Sequence, residues 1–342
     1  MTPPLGRRSF LGAAAAALTV TDATVARATP HRAGSPHQQA ARVTPFPLTA
    51  VTLLAGPFQD NQRRNTAYLR FVDIDRLLHT FRRNVGLPST AQPCGGWEAP
   101  TVELRGHSTG HLLSGLALTY ANTGDTGLRD KGRRLVAALA ACQGASPSAG
   151  YDKGYLSAFP ESFFDRLEAG TGVWAPYYTL HKIMAGLVEQ YRLAGNDQAL
   201  DVVLQLGEWV DTRTGKLSYA QMQRVLETEF GGMNDVLADL HALTGDAVWL
   251  DVAQRFTHAR VFDPLAAGED RLAGLHANTQ IPKMVGALRL WQEGLPDRYR
   301  TIAANFWQIV TAHHSYVIGG NSNGEAFHEP DVVAGQLSNR HL

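Results

Sequence analysis

A helical pattern that recurs four times constrains this chain more than any other feature. Each repeat has a polar or glycine-rich opening, a sparsely charged helix, a stop at or near a glycine, and then a second, amphipathic helix. The openings lie at His107, Tyr178, Gly231 and His276, and the second helices are predicted over residues 128–142, 198–210, 247–256 and 297–314. Openings tens of residues apart have the period of a helical-hairpin array.

This repeat predicts an all-α fold, because strand signals are sparse. One helix of each pair is glycine-tolerant and poorly charged, which is typical of an inner ring buried on both sides, and the other is amphipathic, as in an outer ring. We therefore predict an (α/α)6-barrel-type toroid, incomplete at its C-terminal end. The alternative is an open solenoid of helical repeats that acts as a binding scaffold. The closed ring is favoured because polar groups recur at one end of every inner helix.

The chain divides into three predicted parts: a signal peptide over 1–28, a flexible lead-in over 29–46, and a partial catalytic domain over 47–342. Arg7 and Arg8 form a twin-arginine pattern, residues 12–20 are apolar, and Ala26-Arg27-Ala28 fits a cleavage site. We expect export by the twin-arginine route to the periplasm or the outside of the cell. The apolar run is too short for a permanent span, so no stable membrane anchor is expected. A plain N-terminal anchor is the alternative.

The charge balance argues against a nucleic-acid partner. Thirty-one basic and 31 acidic residues give a formal net charge of zero, so the chain has no basic electrostatic footprint. A hydrophobic content of 44% and a charged content of 18% suit a soluble globular enzyme. Thirteen histidines are also compatible with a polar, uncharged ligand such as a sugar.

Side chains suited to a sugar recur at the openings of the inner helices. Imidazoles and amides bond to hydroxyl groups, and aromatic rings offer apolar platforms. If the helices form a ring, we expect these side chains to converge on one mouth, although any single histidine among them has a structural role as its alternative. The polar set is His107, His111, His181, Asn234, Asp235, His276, Asn278 and Gln280, and the aromatic set is Trp97, Trp174, Tyr177, Tyr178 and Phe327.

Glu325 is the candidate general acid. It lies in a glycine-rich and amide-rich loop over residues 318–327, of a kind that carries function more often than cores do. We expect Phe327 to shield the carboxyl partly from water, so that it holds a proton near neutral pH. The alternative is a helix-entry loop whose glutamate caps backbone amides. Candidates for a second catalytic carboxylate are Glu98, Glu103, Glu161, Asp165, Glu229 and Asp235.

No metal site is predicted within this chain. His107 and His111 are spaced i, i+4, but no glutamate follows the first histidine, so the pair lacks the metalloprotease pattern. Cys94 and Cys142 have no zinc-finger spacing, and the sequence leaves open whether they pair.

Five segments, taken in order, resemble a known family. They are GWEAPTVELRGHSTGHLLSGLALTYANTGD, VWAPYYTLHKIMAGLVEQYRLAGN, EFGGMNDVLADLHALTGD, LHANTQIPKMVGALRLW and GGNSNGEAFHEP. Together they are similar to the β-L-arabinofuranosidase clan of glycoside hydrolases, families 127 and 146, and more closely to the second. The resemblance implies an (α/α)6 barrel followed by β-sandwich domains, and a retaining exo-glycosidase that acts on arabinofuranosides.

The same resemblance implies roles for individual residues. Glu325, in the GEAF motif, corresponds to the family's general acid/base, and His181 and His276 correspond to sugar-contacting histidines. Where some members have a histidine at the third helix start, this chain has Met233-Asn234, so Asn234 is the candidate replacement.

The family nucleophile is a cysteine held on zinc by a glutamate and further cysteines, in motifs that follow the last residue, Leu342. We therefore expect no cofactor in this chain, zinc in full-length relatives, and an inactive fragment here.

The resulting hypothesis is an exported glycoside hydrolase that releases arabinofuranosyl groups from plant-type glycans. The expected substrate contacts are His181, His276, Asn278, Asn234, His107, Trp97 and Tyr178. One alternative is a non-catalytic carbohydrate-binding α/α toroid. The other is a polysaccharide lyase, which would need a cationic subsite, and the basic residues do not cluster at the helix openings.

Overall fold

The computed structural model describes residues 45–337, and this part of the chain is helical, with no strand. It contains α1 (Pro57–Phe71), α2 (Ile74–Asn84), α3 (His107–Thr123), α4 (Thr126–Ala145), α5 (Ser162–Glu168), α6 (Pro176–Ala194), α7 (Asp197–Thr214), α8 (Tyr219–Leu226), α9 (Met233–Thr244), α10 (Val248–Arg255), α11 (Ala259–Ala266), α12 (Ala277–Gln292) and α13 (Arg298–Ile309). Short 3-10 helices cover Leu48–Ala50, Gly96–Glu98, Pro147–Ala149 and Val333–Gln336, and a π-helical turn covers Val310–His314. The predicted all-α class is confirmed.

The four predicted helix pairs are present. They are α3 with α4, α6 with α7, α9 with α10, and α12 with α13. The first helices of three pairs end on Gly124, Gly195 and Gly245, which adopt left-handed φ angles of 73°, 61° and 78°. Glycine populates this region without the steric cost of a Cβ atom, so the glycine stops in the sequence marked true helix ends.

Helices α3 and α6 run parallel and touch through their backbones. A Cβ atom added to Gly110 of α3 would lie 2.1 Å from the backbone carbonyl of Lys182 on α6. Further along both helices, the Gln190 amide donates to the carbonyl of Leu113 over 2.8 Å. Because contacts advance in the same direction along each helix, the two N-termini lie at the same end.

The same reasoning extends the parallel set to α9 and α12. His181 at the start of α6 lies against Gly231 and Gly232, just before α9, and Arg192 near the end of α6 bonds to Asp239 of α9 over 3.1 Å. In turn, the Asn234 amide donates to the Lys283 carbonyl over 2.9 Å, and Arg289 lies 2.7 Å from Asp239. The starts of α3, α6, α9 and α12, with the loops that lead into them, therefore form one polar rim, as the sequence predicted.

The helical spacing of apolar residues over 60–87 predicts one continuous helix, and this prediction is wrong. The chain breaks between α1 and α2 because Asp73 adopts an extended conformation and its side chain accepts a hydrogen bond from the amide of Asp75 over 2.9 Å. An aspartate that caps a following helix competes with continuation of the preceding one. The apolar spacing continued through this break, so periodicity alone could not place it.

Three short helices, α5, α8 and α11, were not predicted. Each has seven or eight residues, which is about two turns and too few for a helical period to be recognised. For α8 a local signal existed, since Ser218 and Gln221 form a reciprocal capping box.

Of the predicted domains, the signal peptide and residues 29–44 of the lead-in lie outside the described residues. Among residues 45–337, no helix combines the length and apolar character that crossing a bilayer requires.

Candidate functional site

A buried carboxylate organises the α3 side of the rim. Glu98 accepts hydrogen bonds from the amides of Gly106 (2.6 Å) and Ser108 (2.8 Å), and its Oε1 lies 2.9 Å from His107 Nδ1. Burial alone would raise the pKa of Glu98, but the bonds from His107 and the two amides outweigh it and lower that pKa. Glu98 therefore caps the start of α3 as an ionised group, rather than serving as a proton donor.

Aromatic rings pack around His107, the histidine that bonds to this carboxylate. The ring of Trp97 lies 6.0 Å from that of His107 and 6.3 Å edge-on from that of Trp174, and Tyr178 packs 6.1 Å from His107. The Trp97 side of this group faces solvent, with 64% of the residue exposed. Trp97, His107 and Tyr178 are thus brought together, as predicted, and Trp97 offers an accessible apolar face of the kind that sugar rings stack on.

His107 presents a defined hydrogen-bonding pattern. Its Nδ1 faces two acceptors, Glu98 Oε1 at 2.9 Å and the carbonyl of Leu104 at 2.8 Å, so this nitrogen carries a hydrogen. In the neutral ring, Nε2 is then an acceptor. His111 lies one turn along α3. Its ring is partly buried and near the positive charge of Lys182, and both effects lower the pKa of His111.

His181 lies lower in the rim. Its ring packs against Gly231 and Gly232, where added Cβ atoms would approach it to 2.6 Å and 2.9 Å. Burial, with Lys182 and His111 nearby, lowers the pKa of His181 to about 3, so the ring is neutral. Its buried Nδ1 has no hydrogen-bond partner among the described residues. The role of His181 in sugar binding stays a prediction.

Asn234 and Asn278 occupy opposite environments. Asn234 is 0% exposed and packs against Gly286, while its amide bonds to the backbone of α12. This position supports a role in joining α9 to α12 and gives the predicted sugar contact no support. Asn278, in the first turn of α12, is exposed at the rim and accessible to a ligand.

The C-terminal loop is bound to the start of α12 by its backbone. The amide of Ala277 donates to the carbonyl of Glu325 over 2.9 Å, and Phe327 and Leu275 are joined in the same way over 2.9 Å. The Phe327 carbonyl also accepts from the amide of Gly274 over 2.8 Å. As a result His276 and Glu325 face each other, with Nε2 and Oε2 3.9 Å apart.

Glu325 differs from the expectation in one respect. Its side chain is 77% exposed, whereas Phe327 is 1% exposed and turns into the core against Phe306 and His314. The expected shielding by Phe327 is therefore wrong. Glu325 also has a φ of 67°, a left-handed value that is strained for a residue with a Cβ atom. Such strain clusters at functional sites.

Tyr177 corrects a second aromatic expectation. It is 1% exposed and its ring contacts Phe164 at 4.9 Å and Phe256 at 5.3 Å, beneath the rim. Burial raises its pKa far above the ordinary value for a tyrosine. Tyr177 therefore anchors the start of α6 in the core, and the next residue, Tyr178, reaches the rim.

Glu229 links the two sides of the rim. It is half-buried just before α9, and the charges of His276, Lys182 and Lys283 act on it. Burial raises the pKa of Glu229, while these cations and a hydrogen bond from Thr279 oppose the rise. The sequence marked Glu229 only as one carboxylate among several, and it gave no sign of Lys182, Lys283 or Thr279. Their positions depend on packing between helices distant in sequence.

Three of the remaining candidate carboxylates have structural partners. Glu103 bonds to Arg166 and to the amide of Trp174, Glu161 accepts from Trp209 over 2.6 Å, and Asp165 pairs with Arg213. Burial and the nearby charge of Asp239 raise the pKa of Asp235 to about 7.

The described residues do not fit a zinc centre. Within residues 45–337, no cluster of three or more His, Cys, Asp or Glu side chains could hold a metal ion. Cys94 and Cys142 are both free thiols; burial raises the pKa of each, to about 11 for Cys142. A high thiol pKa opposes the thiolate form that zinc ligation and nucleophilic attack require. No chemical step is therefore assigned to zinc or to these thiols.

Comparison with protein families gives one match. Residues 50–340 match the family described as β-L-arabinofuranosidase, GH127 catalytic domain. No curated protein sequence matches the chain.

Solved structures are similar at low sequence identity. One, a GH127 β-arabinofuranosidase, superposes with a TM-score of 0.58 at 16% identity over 84% of this chain and 47% of its own length. A GH127 β-L-arabinofuranosidase from Geobacillus stearothermophilus T6 gives a TM-score of 0.50 at 15% identity, over 79% of this chain and 44% of its own. These similarities establish the fold, and the chain spans about half the length of both structures.

Proposed function

Because the chain belongs to the GH127 β-L-arabinofuranosidase catalytic-domain family, we propose that its rim binds and cleaves arabinofuranosides, with Glu325 as the general acid/base. The family makes the chain a glycoside hydrolase domain; the sugar, the linkage and the plant-type glycan source are the proposal. The observation that carries it is the pairing of Glu325 with His276 at 3.9 Å on the rim that also holds Trp97, His107 and Tyr178.

The geometry supports an acid role for Glu325. The carboxyl group of Glu325 is open to solvent, and no described residue forms a close ion pair with it. The backbone of Glu325 is strained, because its φ is positive. In the first step, its proton passes to the glycosidic oxygen as the bond from that oxygen to the anomeric carbon breaks and the nucleophile of the retaining mechanism bonds to that carbon. In the second, the carboxylate takes a proton from the water that attacks the anomeric carbon, and the sugar leaves the nucleophile. The nucleophile of the family's retaining mechanism is assigned to none of residues 45–337.

The other rim residues would hold the sugar. Trp97 offers a stacking face, His107 and His276 offer ring nitrogens, and Asn278 offers an exposed amide. These groups are aromatic rings and an amide, without a cluster of lysine or arginine side chains, which suits hydroxyl groups better than the carboxylates of uronates. The polysaccharide-lyase alternative gains no support from this arrangement.

The test is hydrolysis of an aryl β-L-arabinofuranoside by the 342-residue chain and its variants. Glu325→Gln is expected to lower turnover by about 10²–10⁴-fold, since it removes the proton donor. Glu329→Gln is the matched control, because Glu329 is exposed four residues further along the same segment. Turnover that is clearly above background in the wild type and is unchanged in Glu325→Gln would remove Glu325 from the mechanism. Arabinose binding by calorimetry without turnover would instead support a carbohydrate-binding toroid.

The proposal includes export by the twin-arginine route, from the Arg7-Arg8 pattern. Replacement of both arginines by lysine is expected to retain the protein in the cytoplasm, as measured by cell fractionation. Unchanged export would contradict it.

A further inference from the structure

A buried lysine lies behind the start of α12. Lys283 is 1% exposed, and its Nζ lies 3.1 Å from the amide oxygen of Gln280 and 3.1 Å from Nδ1 of His258. The ring of Phe230 completes the set, with its centre 4.7 Å from the same nitrogen. A buried cation is costly unless its N–H groups are met, and these three neutral partners match the three N–H groups of an ammonium. Burial lowers the pKa of Lys283 to about 8, so the group still carries its charge at neutral pH.

The groups beyond His258 show that Lys283 is the donor in this contact. Burial opposes the ionised form of Glu227, but hydrogen bonds from Arg260 and His258 outweigh it and lower the pKa of Glu227. Glu227 Oε1 lies 3.2 Å from His258 Nε2, and an ionised carboxylate only accepts, so Nε2 carries a hydrogen. Burial, followed by the charge of Lys283, lowers the pKa of His258 to about 4, so the ring is neutral. His258 Nδ1 is therefore an acceptor that only the ammonium satisfies.

The same ammonium reaches the rim through Gln280. The amide oxygen of Gln280 accepts from Lys283, and its Nε2 donates to the main-chain carbonyl of His276 over 3.1 Å. A rotated amide would direct its N–H groups at the ammonium and its oxygen at the carbonyl, and both contacts would then be repulsive. Lys283 therefore selects the one orientation of Gln280 that holds His276.

Two further contacts make Lys283 a fixed point. The Asn234 amide of α9 donates to the main-chain carbonyl of Lys283 over 2.9 Å. His258, which accepts from the ammonium, is the residue directly before α11. Lys283 is thus tied at its main chain to α9 and at its side chain to the start of α11, and both elements lie outside α12.

The start of α12 carries both members of the proposed acid pair. His276 directly precedes the helix, and the amide of Ala277 donates to the main-chain carbonyl of Glu325 over 2.9 Å. The side chains of His276 and Glu325 face each other, with Nε2 and Oε2 3.9 Å apart. A hydrogen bond that fixes the carbonyl of His276 therefore bears on the position of both side chains.

We infer that Lys283 is a positioning residue whose buried ammonium, acting through Gln280, holds the start of α12 and so keeps His276 and Glu325 aligned. Its effect on catalysis rests on the proposed function, but its hold on the start of α12 does not.

Lys131, which is also buried, offers the contrast. Its ammonium bonds to the main-chain carbonyls of Leu69 over 2.7 Å and Arg70 over 3.0 Å, at the end of α1. A lysine that satisfies the last carbonyls of a helix has a local structural role. Lys283 instead bonds to side chains, one of which continues to the rim.

The test is amide hydrogen exchange in the 342-residue chain, followed by mass spectrometry of the segments 273–279 and 322–330. These segments contain the three amides that join the Glu325 loop to the start of α12. Lys283→Met keeps the length and the apolar stem and removes the ammonium. It is expected to speed exchange in both segments about tenfold, the size of one hydrogen bond. The measurement requires no turnover.

Gln280→Glu tests the path from Lys283 to His276. This variant keeps an oxygen for Lys283, but it replaces the N–H donor by an oxygen that repels the His276 carbonyl, so the same local increase in exchange is expected. Because the new carboxylate pairs with the ammonium, the variant also tests the inference if Lys283→Met fails to fold.

Lys131→Met is the matched control, since it also removes a buried ammonium. It is expected to loosen the end of α1 and to leave exchange in both segments at the wild-type rate. Wild-type exchange in either Lys283→Met or Gln280→Glu would overturn the inference. Acceleration by the same factor throughout residues 45–337 would also overturn it, because Lys283 would then add only to global stability.

The result is separable from the test of the proposed function. If Glu325→Gln leaves turnover unchanged while Lys283→Met speeds exchange, Lys283 holds the segment and the acid assignment fails. If Glu325→Gln loses turnover while Lys283→Met exchanges as the wild type does, the acid assignment stands and the inference fails.

In an active protein, the effect of Lys283→Met is expected mainly in kcat. A fall of about tenfold in kcat, with KM changed by less than about twofold, is the pattern of lost alignment in the transition state. The sugar contacts proposed for Trp97 and His107 lie on the other side of the rim and should be retained. A change confined to KM would contradict a role in aligning Glu325.

Discussion

The rim has two sides that hold a glutamate in opposite ways. On the α3 side, Glu98 is buried and accepts hydrogen bonds from His107 and two backbone amides. On the α12 side, the Glu325 side chain is 77% exposed, and its carboxylate lies 3.9 Å from His276. The α3 side is held by a close backbone contact between α3 and α6. The α12 side is held by three backbone hydrogen bonds between residues 325–327 and residues 274–277 at the start of α12.

The difference separates a carboxylate that builds the site from one that can act in it. A group whose lone pairs are filled by fixed donors resists protonation, because each donor would lose its partner. A group open to solvent exchanges protons without disturbing its neighbours. We therefore expect substitutions on the α3 side to reduce stability, and substitutions at Glu325 to reduce activity at nearly constant stability.

The largest expected effect is at the contact between α3 and α6. Gly110→Ala places a methyl group 2.1 Å from the backbone of Lys182, where no side-chain rotation gives relief, so we expect a loss of about 3 kcal/mol or more in the free energy of unfolding. Gly144→Ala is the control, since this exposed glycine of α4 has nothing within 4 Å of its added Cβ. It should raise stability by about 0.5–1 kcal/mol. Similar urea midpoints for the two variants would contradict the backbone contact.

The next effect is at Glu98. Glu98→Ala leaves His107 and two buried amides without their acceptor, so we expect a loss of about 3 kcal/mol near neutral pH. The folded-state pKa of Glu98 lies below the ordinary value of 4.5, so its contribution is present above that pH and is lost as the pH falls through the folded-state value.

Urea unfolding of wild type and Glu98→Ala as a function of pH measures this contribution. The difference between the free energies of unfolding of the two proteins should become smaller in acid. A difference that becomes larger in acid would show that Glu98 is held in its protonated form.

The smallest expected effect on stability is at Glu325. Glu325→Gly removes the side chain and the strain that a Cβ atom causes at a φ of 67°. The free energy of unfolding, measured by thermal denaturation, should therefore rise by less than about 1 kcal/mol. Loss of turnover in the same protein, with no loss of stability, would sharpen the contrast with Glu98. A drop of more than about 2 kcal/mol would show that Glu325 stabilises the loop, and the two sides of the rim would then differ less than the structure indicates.

The sequence predicted the architecture well because helix starts and stops are local signals. Polar openings and glycine stops placed the four inner helices and predicted that their starts converge, but the pairing of His276 with Glu325 is seen only in the structure. The break at Asp73 and the burial of Tyr177, Asn234 and Phe327 could not be predicted in this way. They depend on which side of a loop or helix meets a neighbour, and local spacing carries no information on that.

The backbone hydrogen bonds between residues 274–277 and 325–327 have one more consequence. They tie Glu325 and His276 to one another through main-chain N–H and C=O groups, which side-chain substitutions in this loop leave in place. Movements of the neighbouring helices would therefore carry both residues together and preserve the distance between them.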